Sequence, residues 1–201
     1  MYDKLRTSYE AADFGPLELL VEDIETNVGK APRRDYIVEG QVPIMPRSLY
    51  LTARRSYILG EYIGAFLLSS MAIETAMRHL IGEHLFDKTQ RRLTEFLNDL
   101  DFRKAITLLK ELGILRDDLS KELHEHYNKR NWYSHLHFKS ILGKDGEMEL
   151  EITDENGQSV GTEKLKDNEF LVQTVIQRIA AERHALEALN FALKAFSQMF
   201  P

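Results

Sequence analysis

From about Ser48 to Leu85, apolar residues recur at three- and four-residue steps: Tyr50, Tyr57, Ile58, Tyr62, Phe66, Ile73, Met77, Leu80 and Ile81. That period matches the α-helical turn and predicts one long helix with Ser48 as its N-cap. Its middle carries Gly60, Gly64, Ala65, Ser69, Ser70, Ala72 and Ala76, small residues that let another helix approach closely or allow a bend. Further helical segments follow. One runs from Lys88 or Thr94 to Leu112 and stops at Gly113, a natural residue for the position just past a helix. Another begins near Leu115 and continues to about His137. A last one spans about Asp167 to Phe200, with Leu171, Val175, Ile179, Leu186, Leu189, Phe191, Leu193 and Phe196 at helical spacing.

Two stretches do not read as bundle helices. Residues 1–47 hold four of the five prolines, and Gly29 to Pro46 mixes Pro, Gly, Arg and short apolar pieces, so 1–47 is expected to be an extended N-terminal arm. Between the last two helices, Met148 to Ile152 alternates apolar and acidic residues and Asn156-Gly157 supplies a turn, so residues 139–165 are expected to form a small β-hairpin insertion. The expected class is all-α, an up-and-down bundle of four to five helices over residues 48–201, with the arm and the hairpin attached.

Composition limits the function. The absence of cysteine removes disulfides, thiolate metal sites and cysteine nucleophiles together, and fits a reducing compartment. The first residues lack the apolar core of a signal peptide, and no stretch approaches the roughly 18 apolar residues of a membrane span. The expectation is a cytoplasmic protein with no membrane partner. A net charge of -6 argues against coating nucleic acid by bulk electrostatics, yet permits a local basic cleft. Basic doublets occur at Arg33-Arg34, Arg54-Arg55, Arg91-Arg92 and Lys129-Arg130, among others.

The last doublet opens the run Arg130-Asn131-Trp132-Tyr133-Ser134-His135, where a permanently charged guanidinium stands near an imidazole that titrates near neutrality. At about 100° per residue, His124, Asn128, Asn131 and His135 fall within roughly 60° of each other and form one polar stripe. Leu119, Leu123 and Tyr127 mark the flank expected to face the core, and Arg130, Ser134 and His137 continue that line. Glu122, Glu125 and Lys129 lie opposite, with Trp132 and Leu136 sharing part of that side, so the hairpin or a second subunit is expected to cover them. His124 and His126 are expected at the surface. Arg130 and His135 lie about 140° apart on an ideal helix, so they converge only if the arginine's long arm curls around or if the two groups come from different copies in a dimer, which is a reason to expect an oligomer.

Arg130, Asn131 and His135, an Arg, a polar residue, a three-residue spacer and a His on a late helix of a small helical bundle, resemble the signature of the HEPN superfamily. Arg130 with His137 satisfies a longer spacer, and the stretch from Ala65 to Ala76, with Glu74 embedded among small residues, is similar to a helix seen in many such proteins. The resemblance covers about residues 60–199 without the hairpin. It implies a homodimeric, metal-independent RNA endonuclease, often a toxin or defence effector, with two copies of the motif lining a shared cleft. In that chemistry the ribose 2′-OH attacks the adjacent phosphorus, His135 takes its proton, Arg130 holds the phosphorane oxygens and Asn131 orients substrate or histidine. Asn128, Lys129, Tyr133, Ser134 and His137 are the expected contacts to single-stranded RNA, and an antitoxin or other partner protein is an expected restraint.

The alternative is a catalytically inactive bundle of the same kind that binds a protein or RNA partner. There Arg130 is paired with a carboxylate such as Glu74 or Asp101, His135 donates to a backbone carbonyl, and Trp132 and Tyr133 serve packing. Metal and cofactor classes find no support in the residues: no histidine has a Glu three positions earlier, and no His-Glu-x-x-His, phosphate-cradling Gly-rich loop, Gly-x-Ser-x-Gly elbow or dinucleotide fingerprint occurs. No metal and no cofactor are expected.

Overall fold

The computed structural model describes residues 17–32, 42–89, 94–134, 148–153, 159–165 and 170–201. Among these, seven helices form an all-α protein: α1 (Leu17–Lys30), α2 (Ile44–Ile58), α3 (Tyr62–Thr89), α4 (Thr94–Asp99), α5 (Phe102–Glu111), α6 (Asp117–Ser134) and α7 (Phe170–Met199). Two strands, β1 (Met148–Thr153) and β2 (Ser159–Leu165), pair antiparallel with Met148 opposite Leu165 and an irregularity between Ile152 and Thr153.

The bundle is built around α3, which packs most extensively on α2 and α7 and also meets α4, α5 and α6. Its sequence allows this because small and large residues are spread around the helix instead of being confined to one stripe. Ala65, Ser69, Ser70, Ala72 and Ala76 are fully buried, as are Ile73, Met77 and Ile81. The polar residues among them are satisfied locally: Ser69 Oγ donates to the Ala65 carbonyl (2.8 Å) and Ser70 Oγ lies 3.0 Å from the Phe66 carbonyl. Facing α3, α7 presents Ala181, Ala185, Ala188, Ala192 and Ala195 at three- and four-residue spacing, all buried, so the backbones approach with little side chain between them. Tyr50 of α2 meets Phe196 of α7 edge to face at 6.1 Å.

The expected single helix over 48–85 is two helices. The chain leaves α2 at Leu59, and Gly60 adopts φ 79°, in the left-handed region. The Gly60 N–H donates to the Tyr57 carbonyl (3.0 Å) and the Glu61 N–H to the Ser56 carbonyl (2.8 Å), the paired bonds of a Schellman ending. Periodicity passes through this break because α2 and α3 both bury apolar residues on either side of it. The start also differs: α2 begins at Ile44, and Ser48 lies inside it, its carbonyl accepting from Thr52 Oγ1. Pro46 is tolerated because first-turn N–H groups have no intrahelical acceptor to lose.

The second expected helix is likewise divided. Two residues past the end of α4, Asp101 caps α5, accepting at 2.8 Å from the Lys104 N–H, a bond that holds its carboxyl below the usual carboxylate range. Gly113, at φ 71°, closes α5 with a second Schellman ending, in which Gly113 N–H donates to Lys110 O and Ile114 N–H to Leu109 O.

Within the stretch expected to be an extended arm, residues 17–30 are helical, which corrects that expectation. Pro16 precedes the helix and Pro32 follows it, so the prolines flank α1 and do not interrupt it. Asn27, 3% exposed, docks α1: its Nδ2 lies 3.2 Å from the Tyr57 carbonyl, 3.3 Å from the Ile58 carbonyl and 3.2 Å from the Tyr62 hydroxyl. Both carbonyls belong to the last turn of α2, where no following helical turn supplies donors, and the Tyr57 carbonyl also accepts from the Gly60 N–H. Two exposed ion pairs, Lys30 with Glu182 (2.7 Å) and Arg178 with Asp23 (2.9 Å), link α1 to α7.

A Cβ at Gly60 meets no atom within 4 Å, so the cost of a side chain there is conformational alone. Gly60→Ala is expected to lower stability by about 1–2 kcal/mol. Urea unfolding checks this through a lower midpoint at unchanged slope.

Candidate functional site

Helix α6 turns the face bearing Leu119, Leu123, His126 and Tyr133 into the core, all four of them buried. The inward line therefore runs through His126 and Tyr133 instead of Tyr127 and Ser134. Tyr127 is half-buried and Ser134 exposed, which corrects the inward placement of Ser134. His126, expected at the surface, lies 7% exposed in the interior. The signal for it was a seven-residue step from Leu119, two turns that return to within about 20° of the same direction. His184 was missed for the same reason: it sits one turn beyond Ala180 and one before Ala188, on the buried alanine face of α7.

The two histidines are built into one aromatic seam. His126 Nε2 lies 2.8 Å from Ser70 Oγ, and its ring packs against Phe191, Phe66 and Phe102 at centroid distances of 5.1, 5.3 and 6.3 Å. His184 Nδ1 lies 2.8 Å from the Tyr133 hydroxyl, and the Tyr133 ring stacks at 4.6 Å on Phe66. Burial, helped by the Lys129 and Arg130 charges, pushes His126 down to about 3. Burial and Lys129 push His184 down to about 4. The Tyr133 hydroxyl is shifted up, because burial disfavours its anion. Both imidazoles are neutral at pH 7. Together with Lys129 and Glu187, which pair at 2.8 Å, they border a cleft of about 200 Å³ between α6 and α7.

Arg130 lies on the inner face of α6 yet stays 31% exposed. Its Nη2 is 3.8 Å from Glu74 Oε2, an ion pair beyond hydrogen-bonding distance. The other oxygen, Oε1, accepts from Arg78 Nη2 at 2.7 Å, and Arg78 Nε donates to the Leu100 carbonyl at 2.9 Å. Glu74, 14% exposed, thus sits between two guanidinium groups. Asp101, the other carboxylate considered for Arg130, instead caps α5. Among the described residues Arg130 makes no hydrogen bond, so its N–H donors are uncommitted.

The remaining motif residues divide. Asn131 and Trp132 are half-buried, with Trp132 packed on the core, and Asn128 is exposed. Tyr133 is an internal residue, reachable by a base only if the α3–α6–α7 seam opens. His135, Leu136 and His137 lie outside the described residues, so the expected approach of Arg130 and His135 is not described. A second, larger groove of about 570 Å³ lies between α5 and α6, where Tyr127 borders it. Among the described residues no three His, Asp or Glu side chains gather as metal ligands, and no helix is long and apolar enough to cross a membrane. Comparison with family models, curated proteins and solved structures finds no match.

The histidine values carry a pH dependence of stability. Both fall below the ordinary 6.5, so between pH 6.5 and 4 the unfolded chain binds protons that the fold excludes. Stability is expected to be full above pH 6.5 and to fall as pH drops, by up to about 1.4 kcal/mol per histidine per pH unit. Urea midpoints between pH 6.5 and 5, above most carboxylate titration, check this. The slope should roughly halve in His126→Phe, which keeps the aromatic packing and leaves Ser70 bonded to the Phe66 carbonyl.

Proposed function

We propose that the protein is a metal-independent RNA endonuclease of HEPN type, acting as a homodimer. The observation that carries this reading is the state of Arg130: a half-exposed guanidinium, positioned by Glu74 at 3.8 Å, with its hydrogen-bond donors uncommitted among the described residues. A cation in that state suits a transition state whose charge develops on non-bridging phosphate oxygens, because no hydrogen bond of its own has to be broken before it acts. In this reading the up-and-down bundle carries β1 and β2 as an insertion.

The chemistry runs through His135 and the substrate. His135 accepts the proton of a ribose 2′-OH, and O2′ forms a bond to the adjacent phosphorus. The P–O5′ bond of the phosphorane then breaks, the leaving 5′ oxygen takes a proton from water, and a 2′,3′-cyclic phosphate remains. Arg130 holds the phosphorane oxygens and Asn131 orients the substrate or the imidazole. Lys129, Asn128, Ser134 and His137 line the approach of single-stranded RNA. DNA is refused for lack of the nucleophile. A restraining partner, such as an antitoxin, belongs to the same reading.

One observation favours a second reading, a catalytically silent bundle that binds a protein or RNA. Arg130, Glu74 and Arg78 tie α6 to α3 and to the α4–α5 junction at Leu100, a structural service that needs no chemistry. Cleavage of single-stranded RNA in EDTA separates the two. Wild type is expected to cut, and Arg130→Ala and His135→Ala are each expected to lose at least about 100-fold in rate while remaining folded by circular dichroism. Activity that survives either substitution leaves the silent reading.

A further inference from the structure

We infer that the groove between α5 and α6 binds single-stranded RNA beside Arg130, by stacking a base on Tyr127 and holding one phosphate on Arg103. This rests on the nuclease reading and extends it from the reacting phosphate to the neighbouring nucleotide. The groove, about 570 Å³, is walled by Leu100, Leu108 and Tyr127 and edged by Arg103, Lys104 and Thr107, with Asp101 and Glu111 completing it.

Three observations carry it. The groove is joined to Arg130 by continuous contacts: Arg130 pairs with Glu74, Glu74 accepts from Arg78, and Arg78 donates to the carbonyl of Leu100 in the groove wall. On α6, Tyr127 stands three residues before Arg130, about 4.5 Å along the axis. Next, Tyr127 is half-buried, with its ring braced on Phe102 at 5.7 Å, so it offers a fixed aromatic surface to solvent. Every base has a face that such a ring accepts. Last, the two cations differ. Lys104 is engaged with Asp101 at 3.2 Å, whereas exposed Arg103 has no ion pair among the described residues.

The charges also set a limit. Arg103 and Lys104 are matched by Asp101 and Glu111, so the groove is formally neutral and carries no extended backbone. Its chemistry fits one stacked base and one phosphate, and Glu111 repels a second. Affinity should then depend mainly on stacking and only weakly on salt.

The test uses the full chain and a fluorescein-labelled single-stranded RNA made uncleavable by 2′-O-methylation, with Kd read by anisotropy in EDTA. Tyr127→Leu is expected to weaken binding about tenfold, while Tyr127→Phe keeps it, since stacking needs the ring and not the hydroxyl. Arg103→Ala should weaken binding several-fold and reduce the salt slope by about 0.7, one phosphate's worth on a single strand. Glu111→Gln should tighten it. If Tyr127→Leu misfolds by circular dichroism, the two substitutions on the exposed side of α5 still decide. Kd unchanged in Arg103→Ala and Glu111→Gln overturns the inference. Cleavage of the unmodified RNA, followed in parallel, separates the two readings. Cutting whose kcat/KM ignores Tyr127 and Arg103 removes the groove and leaves the nuclease. Binding that depends on these residues without cutting keeps the groove and removes the nuclease. Neither binding nor cutting removes both.

Discussion

A carboxylate on the most enclosed helix of a bundle has to be neutralised where it stands, and Glu74 on α3 is neutralised twice, by Arg78 from its own helix and by Arg130 from α6. The desolvation of a charge at 14% exposure is too costly to leave unpaired, so the position of α6 on α3 and the orientation of Arg130 are set together. Arg78 extends the same chain of contacts to the Leu100 carbonyl, which fixes where α4 ends and α5 begins. Removing the acid would leave two guanidinium groups facing each other across the seam. The placement of Arg130, whose donors are uncommitted among the described residues, is thus a consequence of how α3 is buried.

Much of this was legible in the sequence, and the losses have particular causes. The helices over α2, α3, α6 and α7 follow from apolar spacing, and Glu74 was identifiable as a partner for Arg130. The breaks were not. Gly60 was visible as a bend, but a Schellman ending depends on backbone bonds to Tyr57 and Ser56 that a wheel projection does not represent. Asp101 reads equally as a helix cap or a free carboxylate, and only the bond from the Lys104 N–H distinguishes them. Helix α1 was hidden by prolines that flank it. On α6, one apolar line through Tyr127 and another through His126 differ by about 100°, and the choice between them is made by α3 and α7, not by α6 itself.

The interior histidines show how a charged surface and a neutral core coexist within one helix. Lys129 and Arg130 stand at consecutive positions next to a face that carries His126, and their charge reinforces what burial already does to that ring. Neutral imidazoles can bond Ser70 and Tyr133 through one nitrogen each without an ion entering the Phe66, Phe102 and Phe191 cluster. The seam is therefore specific at neutral pH and penalised in acid.

This also decides which histidines are suited to proton transfer. A general base works best when its pKa lies near the operating pH and it reaches the substrate's proton. His126, at about 3, and His184, at about 4, fail on strength, and their burial fails them on access. They border a cleft, but with weakly basic rings held by Ser70 and Tyr133 they act as packing and hydrogen-bonding groups. Any imidazole chemistry near neutral pH falls to histidines outside this seam. In the nuclease reading that means His135, with the core pair serving to hold α6 in place so that Arg130 meets its phosphate from a rigid support.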